Sequence, residues 1–171
     1  MNSHNTAMSR NRMSAPTAYL LSRSMLGGYM LDFGCGKGKD VQTLKEMGFK
    51  IVGYDPHYQP IRPMGMFDSI IMNYVLNVIS TPNSRPLVMR SAFELLNKGG
   101  ILYIATRNKK DINSCSLKWY AHNDGYITKK NTFQVGLDYE DLAMYFIQSG
   151  ITGTIGHIKH NKFTLIYIRK I

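Results

Sequence analysis

The chain has 171 residues, 44% of them hydrophobic and 19% charged, enough to bury one sizeable core but not two. No apolar run approaches the ~18 residues of a membrane-spanning helix, which excludes an integral helical membrane protein. Twenty-one Lys and Arg against eleven Asp and Glu leave a formal charge of +10, which either attracts a polyanion such as nucleic acid or serves solubility alone.

The opening residues, MNSHNTAMSRNR, are polar and show neither an apolar h-region nor a small-residue cleavage site, so a cytoplasmic location is expected. Residues 1–13 read as a flexible arm and 14–171 as a single domain. Ser14 suits the N-cap of a helix expected to run to about Leu26, with Pro16 in its first turn and Leu20, Leu21, Met25 and Leu26 on an apolar side. Gly27 and Gly28 end it.

Tyr29–Phe33 then reads as a buried strand, Gly34-Cys35-Gly36-Lys37-Gly38 as a tight loop and Lys39–Met47 as a helix. Lys50–Tyr54 gives a second strand, closed by Asp55-Pro56, and the whole forms a β-α-β unit with parallel strands. After a proline-rich loop comes a third strand, Phe67–Asn73. A helix is expected from Ser84 to Leu96, stopped by Asn97-Lys98-Gly99-Gly100, and a fourth strand over Ile101–Ala105. The polar stretch 106–131 reads as a functional or partly mobile insertion rather than a compact connector. A last helix spans Tyr139–Ser149, and strands at Thr154–Lys159 and Phe163–Arg169 flank His160-Asn161 as an antiparallel hairpin. The fold class is α/β.

Cys35 and Cys115 are too few for a disulfide framework, and no cysteine or histidine spacing suggests a metal site. Chemistry concentrates instead in Asp32-Phe33-Gly34-Cys35-Gly36-Lys37-Gly38, where glycines between strand and helix let the backbone approach a ligand. The spacing fits neither a P-loop nor a G-x-G-x-x-G dinucleotide loop. Asp32 would repel a pyrophosphate but suits the ammonium and sulfonium charges of S-adenosylmethionine (SAM), while Lys37 and Lys39 pull the other way. Asp55, 21 positions after Gly34, is placed to accept hydrogen bonds from ribose hydroxyls, although Asp-Pro is also a turn starter.

LDFGCGKG, VGYDP, FDSIIMNYVLNV and GGILYIATRN, in that order, resemble the motifs of class I SAM-dependent methyltransferases. SAPTAYL, GCGKGKDVQTL, GYDPHYQP, YVLNVI and GYITKKNTFQ are similar to a bacterial and phage group that includes DNA phosphorothioation-associated methyltransferases. The resemblance implies a Rossmann-like sheet with helices on both faces and SAM as cofactor. Asp32, Gly34, Cys35, Gly36 and Gly38 would hold its methionine portion, Asp55 its ribose, and Asn73 and Tyr74 would line the reaction cleft. It also singles out Thr132-Phe133-Gln134 as a segment closing over that cleft.

Two departures qualify the match. Phe67 follows Asp55 by only 12 positions, where the family inserts a helix and a strand, so that strand is expected to be missing or reduced to a remnant near Ile61-Arg62. Asn73-Tyr74-Val75-Leu76 also lacks the prolines of amino-directed DNA methyltransferases, and no Pro-Cys pair of cytosine-C5 enzymes is present.

Methyl transfer needs alignment and, for a weak nucleophile, a base. Asn73, Tyr74, Asn77 and Arg107 are the candidate cleft residues, with His57 as a possible base. Arg107, Lys109, Lys110 and Lys118, then Lys129 and Lys130, then Lys159 and Lys162 form basic clusters, and Trp119, Tyr120 and Tyr126 supply aromatics for base stacking. The reading is a small methyltransferase acting on a nucleic acid or nucleotide-like substrate, with a partner subunit for target recognition. A silent SAM-binding nucleic-acid subunit and a SAM hydrolase or lyase stay open as alternatives.

Overall fold

The computed structural model describes residues 6–7 and 9–171. In chain order these form α1 (Ala15–Ser22), β1 (Met30–Phe33), α2 (Lys39–Glu46), β2 (Ile51–Tyr54), β3 (Phe67–Asn73), α3 (Ser84–Phe93), β4 (Leu96–Thr106) and α4 (Lys109–Cys115). Three short strands follow, β5 (Tyr120–His122), β6 (Gly125–Ile127) and β7 (Phe133–Gln134), and then α5 (Tyr139–Gln148), β8 (Gly153–Ile158) and β9 (Thr164–Lys170). The main sheet has the order β2-β1-β3-β4-β9-β8. Strands β1 to β4 are parallel, and β9 runs antiparallel to both β4 and β8.

Strand alternation divides the core into two layers. Leu31, Ile70, Met72, Leu102, Ile104 and Ile166 face α3 and α5, where they pack on Met89, Phe93, Leu142 and Tyr145. Met30, Ile71, Tyr103, Ala105 and Leu165 face α1 and α2 and meet Leu20, Val41 and Leu44. The expected family strand after β2 is missing: β2 is the sheet's edge, and the segment near Ile61 is not a strand.

Four local expectations are corrected. Helix α1 stops at Ser22, not Leu26, because Ser24 adopts a left-handed φ of 53° and Met25 returns its N–H to the Leu20 carbonyl at 3.0 Å. Helix α3 ends at Phe93, and Asn97-Lys98-Gly99-Gly100 is not its stop but an irregularity inside β4: Leu96 pairs with Phe67 and Ile101 already with Ser69. The stretch 106–131 is structured, contributing α4 and a three-stranded sheet of order β5-β6-β7. Of the arm expected over 1–13, residues 1–5 and 8 lie outside the described residues, while Ser9 accepts a hydrogen bond from Lys37 Nζ at 2.8 Å and Arg10 pairs with Asp40 at 3.8 Å.

The small sheet is fixed against α3 and the segment that follows β3. Arg85 on α3, fully buried, forms a two-pronged ion pair with Asp124 in the β5–β6 turn, donates to Tyr145 Oη at 2.8 Å and to the Ile79 carbonyl at 3.0 and 2.9 Å. The Val135 N–H donates to the Asn77 carbonyl at 2.9 Å, and Asn123 reaches the Ser80 carbonyl at 3.1 Å. Among the described residues no helix is long and apolar enough to cross a membrane.

Candidate active site

A cavity of about 1510 Å³ opens along the C-terminal ends of the parallel strands, the edge where open α/β sheets hold their ligands. The loop after β1 forms one wall. The N–H groups of Gly34 and Cys35 both donate to the Tyr54 carbonyl, at 2.7 and 3.0 Å, binding the loop to the end of β2. Gly34 has a φ of 85°, and a Cβ there would collide with the Val75 side chain; only glycine allows this turn.

Asp55 lies across from the loop, and its carboxylate is heavily used. Oδ2 accepts from the Gly36 N–H at 3.0 Å, and Oδ1 accepts from the N–H groups of His57 and Tyr58 at 2.9 and 3.0 Å. Its backbone also exchanges both hydrogen bonds with Gln59. Asp55 thus organises the glycine loop and the 56–59 turn, with lone-pair capacity left on Oδ2. The His57 ring lies edge-on to Tyr58 at 4.7 Å and borders the cavity.

Asp32 is buried on the α1/α2 side of β1, with no hydrogen-bond partner among the described residues. Burial raises its pKa well above the usual carboxylate range, and Asp40 pushes it further while Arg10 opposes. The Cys35 thiol is pushed up to about 12 by burial and by Asp32. It donates to the Gly36 carbonyl at 3.7 Å and packs in the second core layer, so Cys35 serves the loop through its backbone.

Asn73 and Asp40 belong to one polar network. Asp40, in the first turn of α2, accepts from the Ser14 N–H at 2.8 Å, from Thr17 Oγ1 at 2.7 Å and from Ser14 Oγ. Asn73 Nδ2 in turn donates to Thr17 Oγ1 at 2.7 Å and Ser14 Oγ at 3.3 Å. Asn73 Oδ1 is buried without a partner, as is Asn77 Oδ1, while Asn77 Nδ2 donates to Gln134 at 3.1 Å. Asn73, Asn77 and Gln134 all line the cavity.

Tyr74 follows at a φ of 60°, a left-handed conformation disfavoured for a bulky side chain and held by its N–H bond to the Ala105 carbonyl at 2.8 Å. Such backbone strain clusters at functional sites. Burial raises the Tyr74 phenol, with Arg10 acting against it. Arg107 is anchored by Asp111 at 2.6 Å and by the Cys115 sulfur at 3.4 Å, with the Trp119 ring 5.8 Å away.

The sequence-predicted cofactor and cleft residues therefore converge, apart from buried Asp32 and the loop-end Gly38, which stand behind the lining itself. The basic clusters do not all follow. Lys129, Lys130 and Lys162 line the cavity, but Lys109 is drawn off by Asp141 at 2.7 Å, and Lys110, Lys118 and Lys159 lie outside the lining. In their place stand Arg10, Arg12, Lys37, Lys39 and Arg62, against the acids Asp55 and Asp111. Trp119 and Thr132 border the cavity; Tyr120 is exposed elsewhere and Phe133 is buried in the core. Sequence reasoning missed Asp40, Thr17 and Arg10. For Asp40 the signal was a charged residue at a helical position facing the core; Thr17 and Arg10 carried none.

The comparisons with known proteins agree with this geometry. The sequence matches a family described as "Methyltransferase domain" over residues 5–149. No curated protein matches the chain. Among solved structures, the 1,6-didemethyltoxoflavin-N1-methyltransferase of Burkholderia thailandensis, bound to 1,6-didemethyltoxoflavin and S-adenosylhomocysteine, superposes with a TM-score of 0.64 at 15% identity, covering 99% of this chain and 78% of that one. A SAM-dependent methyltransferase of Bacteroides fragilis with S-adenosylhomocysteine gives 0.64 at 16% identity, covering 95% and 80%. One from Methanosarcina mazei gives 0.66 at 14%, covering 88% and 97%. With the family match spanning most of its length, a Rossmann-like sheet and a glycine loop opening onto the cavity, the chain belongs to the methyltransferase-domain family as a SAM-dependent methyltransferase.

Proposed function

We propose that this enzyme methylates a nucleic acid or nucleotide-like polyanion. The observation that carries the reading is the sign of the cleft wall: cations from the N-terminal segment, the glycine loop, the 128–132 turn and the β8–β9 turn converge on one cavity, and the few acids there are engaged with loop amides or with Arg107. Such a surface concentrates polyanions, and Trp119 adds a stacking face.

The residues present suit SAM. The glycine loop gives close backbone approach, Asp32 offers a buried carboxylate behind it, and Asp55 retains acceptor capacity toward ribose hydroxyls. SAM supplies a methyl group on a sulfonium that leaves as a neutral thioether. The protein's share is to bind, orient and exclude competing nucleophiles. Asn73 and Tyr74 at the end of β3, with Asn77 and Gln134, form the floor where an acceptor atom must sit. A partner subunit would supply target selection.

The test is calorimetry with SAM, S-adenosylhomocysteine and NADH, followed by transfer of labelled methyl to DNA and RNA. Binding of the first two and label in nucleic acid are expected. SAM binding with no labelled nucleic acid overturns the substrate class; SAM consumed without any labelled acceptor marks a hydrolase or lyase.

A further inference from the structure

Arg107 is the first residue after β4, lines the cavity, and is held from several directions. Its carbonyl accepts from the Leu137 N–H at 2.9 Å. Its Nε donates to Asp111 at 2.6 Å and its Nη2 to the Cys115 sulfur at 3.4 Å, two acceptors one turn apart on α4. Both bonds use the same side edge of the planar guanidinium. The fork at its tip, Nη1 and the second N–H of Nη2, has no acceptor among the described residues, although only 25% of the side chain is accessible. An unfilled guanidinium fork fixed at a cavity wall matches two oxygens of one phosphate.

Trp119, the chain's single tryptophan, has its ring centroid 5.8 Å from the Arg107 guanidinium carbon. It is partly exposed and lines the same cavity. Trp119 immediately precedes β5 and Thr128 immediately follows β6, and the pairing of Tyr120 with Ile127 brings those two ends together. Lys129 and Lys130, which also line the cavity, therefore stand at the same end of it as the indole. An aromatic ring set among cations suits an unstacked base with its phosphates, whereas the bases of a duplex are already stacked on one another. We propose that Arg107 and Trp119 bind one nucleotide of a single-stranded nucleic acid, base on the indole and phosphate on the fork, with Asp111 as the positioning residue that aims the fork. This inference rests on the polyanionic substrate proposed above and narrows it to unpaired strands.

A single tryptophan reports its own occupancy, so its fluorescence tests the inference, while the anisotropy of end-labelled strands records binding itself. The probes are oligo-dA, the same strand annealed to oligo-dT, and an abasic oligodeoxynucleotide of equal length, which keeps the phosphates and lacks the bases. Oligo-dA is expected to quench Trp119, and the other two to bind through charge with the emission nearly unchanged. Oligo-dA bound without quenching overturns the inference and leaves the polyanion reading standing, as does equal quenching by the duplex or the abasic strand. If no probe binds, both fail.

Variants separate a positioned fork from a merely charged wall, with SAM affinity measured in parallel as the check on folding. Arg107→Lys keeps the charge and loses the fork, and is expected to weaken oligo-dA binding about 10-fold. Asp111→Ala and Asp111→Asn remove the same negative charge from the cavity, but only the Asn oxygen still accepts from Arg107 Nε. The Ala variant is expected to bind oligo-dA more weakly than wild type and the Asn variant at least as tightly. Equal tightening in both, the response of a charged wall, overturns the inference, as does undiminished affinity in Arg107→Lys.

Discussion

The Gly36 N–H donates to the Asp55 carboxylate at 3.0 Å, so the glycine loop after β1 and the acid after β2 are one mechanical unit. Asp55 therefore has a structural duty beside any contact with ribose. Asp55→Ala removes the acceptor for three backbone N–H groups and is expected to lower stability by about 1–3 kcal/mol as well as weakening SAM binding. Urea unfolding measured beside SAM calorimetry separates the two effects. An unchanged stability would show that water replaces the carboxylate at no cost.

Asp32 links stability to pH. Its folded-state pKa is raised by burial, so whatever stability the neutral acid confers is complete below the unfolded-state value of about 4 and is lost as pH rises through the folded-state value. Asp32→Asn is expected to raise the Tm near neutral pH, with the gap closing as pH falls toward that of an unperturbed carboxylate. SAM, a cation, should bind wild-type protein more tightly as Asp32 ionises, and Asp32→Asn should flatten that profile. Melting curves and calorimetry at several pH values check both.

Lysines of equal sequence prominence should divide by position. Lys129 and Lys130 line the cavity, whereas Lys109 is paired with Asp141 on α5 and Lys110 lies outside the lining. Neutralising Lys129 and Lys130 is expected to reduce the slope of log affinity against log salt for single-stranded oligonucleotides by about 1 or more. Neutralising Lys109 and Lys110 should leave the slope nearly unchanged. The reverse ranking would move the polyanion path to the α4 side.

Arg85 holds the β5–β6–β7 sheet from beneath. Arg85→Ala leaves Asp124, Tyr145 Oη and the Ile79 carbonyl without their common donor, and a loss of about 3 kcal/mol is expected. Asp124→Asn keeps the guanidinium's other two partners and should cost less. Hydrogen exchange would show the difference directly: residues 120–134 lose protection in both variants, but the main sheet weakens only in Arg85→Ala.

The β-α-β unit was legible because its signals are local: an apolar run, glycines requiring left-handed φ, a helical repeat and an acid at the strand end. The same holds for β3 and for the β8–β9 hairpin. The irregularity at Asn97–Gly100 was not legible, since a Gly-Gly pair reads as a helix stop and only pairing with Phe67 and Ser69 makes it part of β4. Strands β5 to β7 are two or three residues long, and exposed Tyr120 and Ala121 show no alternation. Their β5–β6 turn is held through Asp124 by Arg85, far away in the chain. In the site, Gly34 and Asp55 stood out by their spacing, whereas the hydrogen bonds of Asp40 depend on the hydroxyls of Ser14 and Thr17 that the start of α1 brings to it.

The order of the main sheet also sets a schedule for its assembly. β8 precedes β9 in the chain but lies outside it, touching the rest of the sheet only through β9. During synthesis β8 has no strand to join until β9 has emerged, so the two must dock on β4 together as a hairpin. Until then the β4 edge from Ile101 to Thr106, which β9 occupies in the finished fold, stays open, the interval in which a nascent chain is most exposed to pairing with a neighbour.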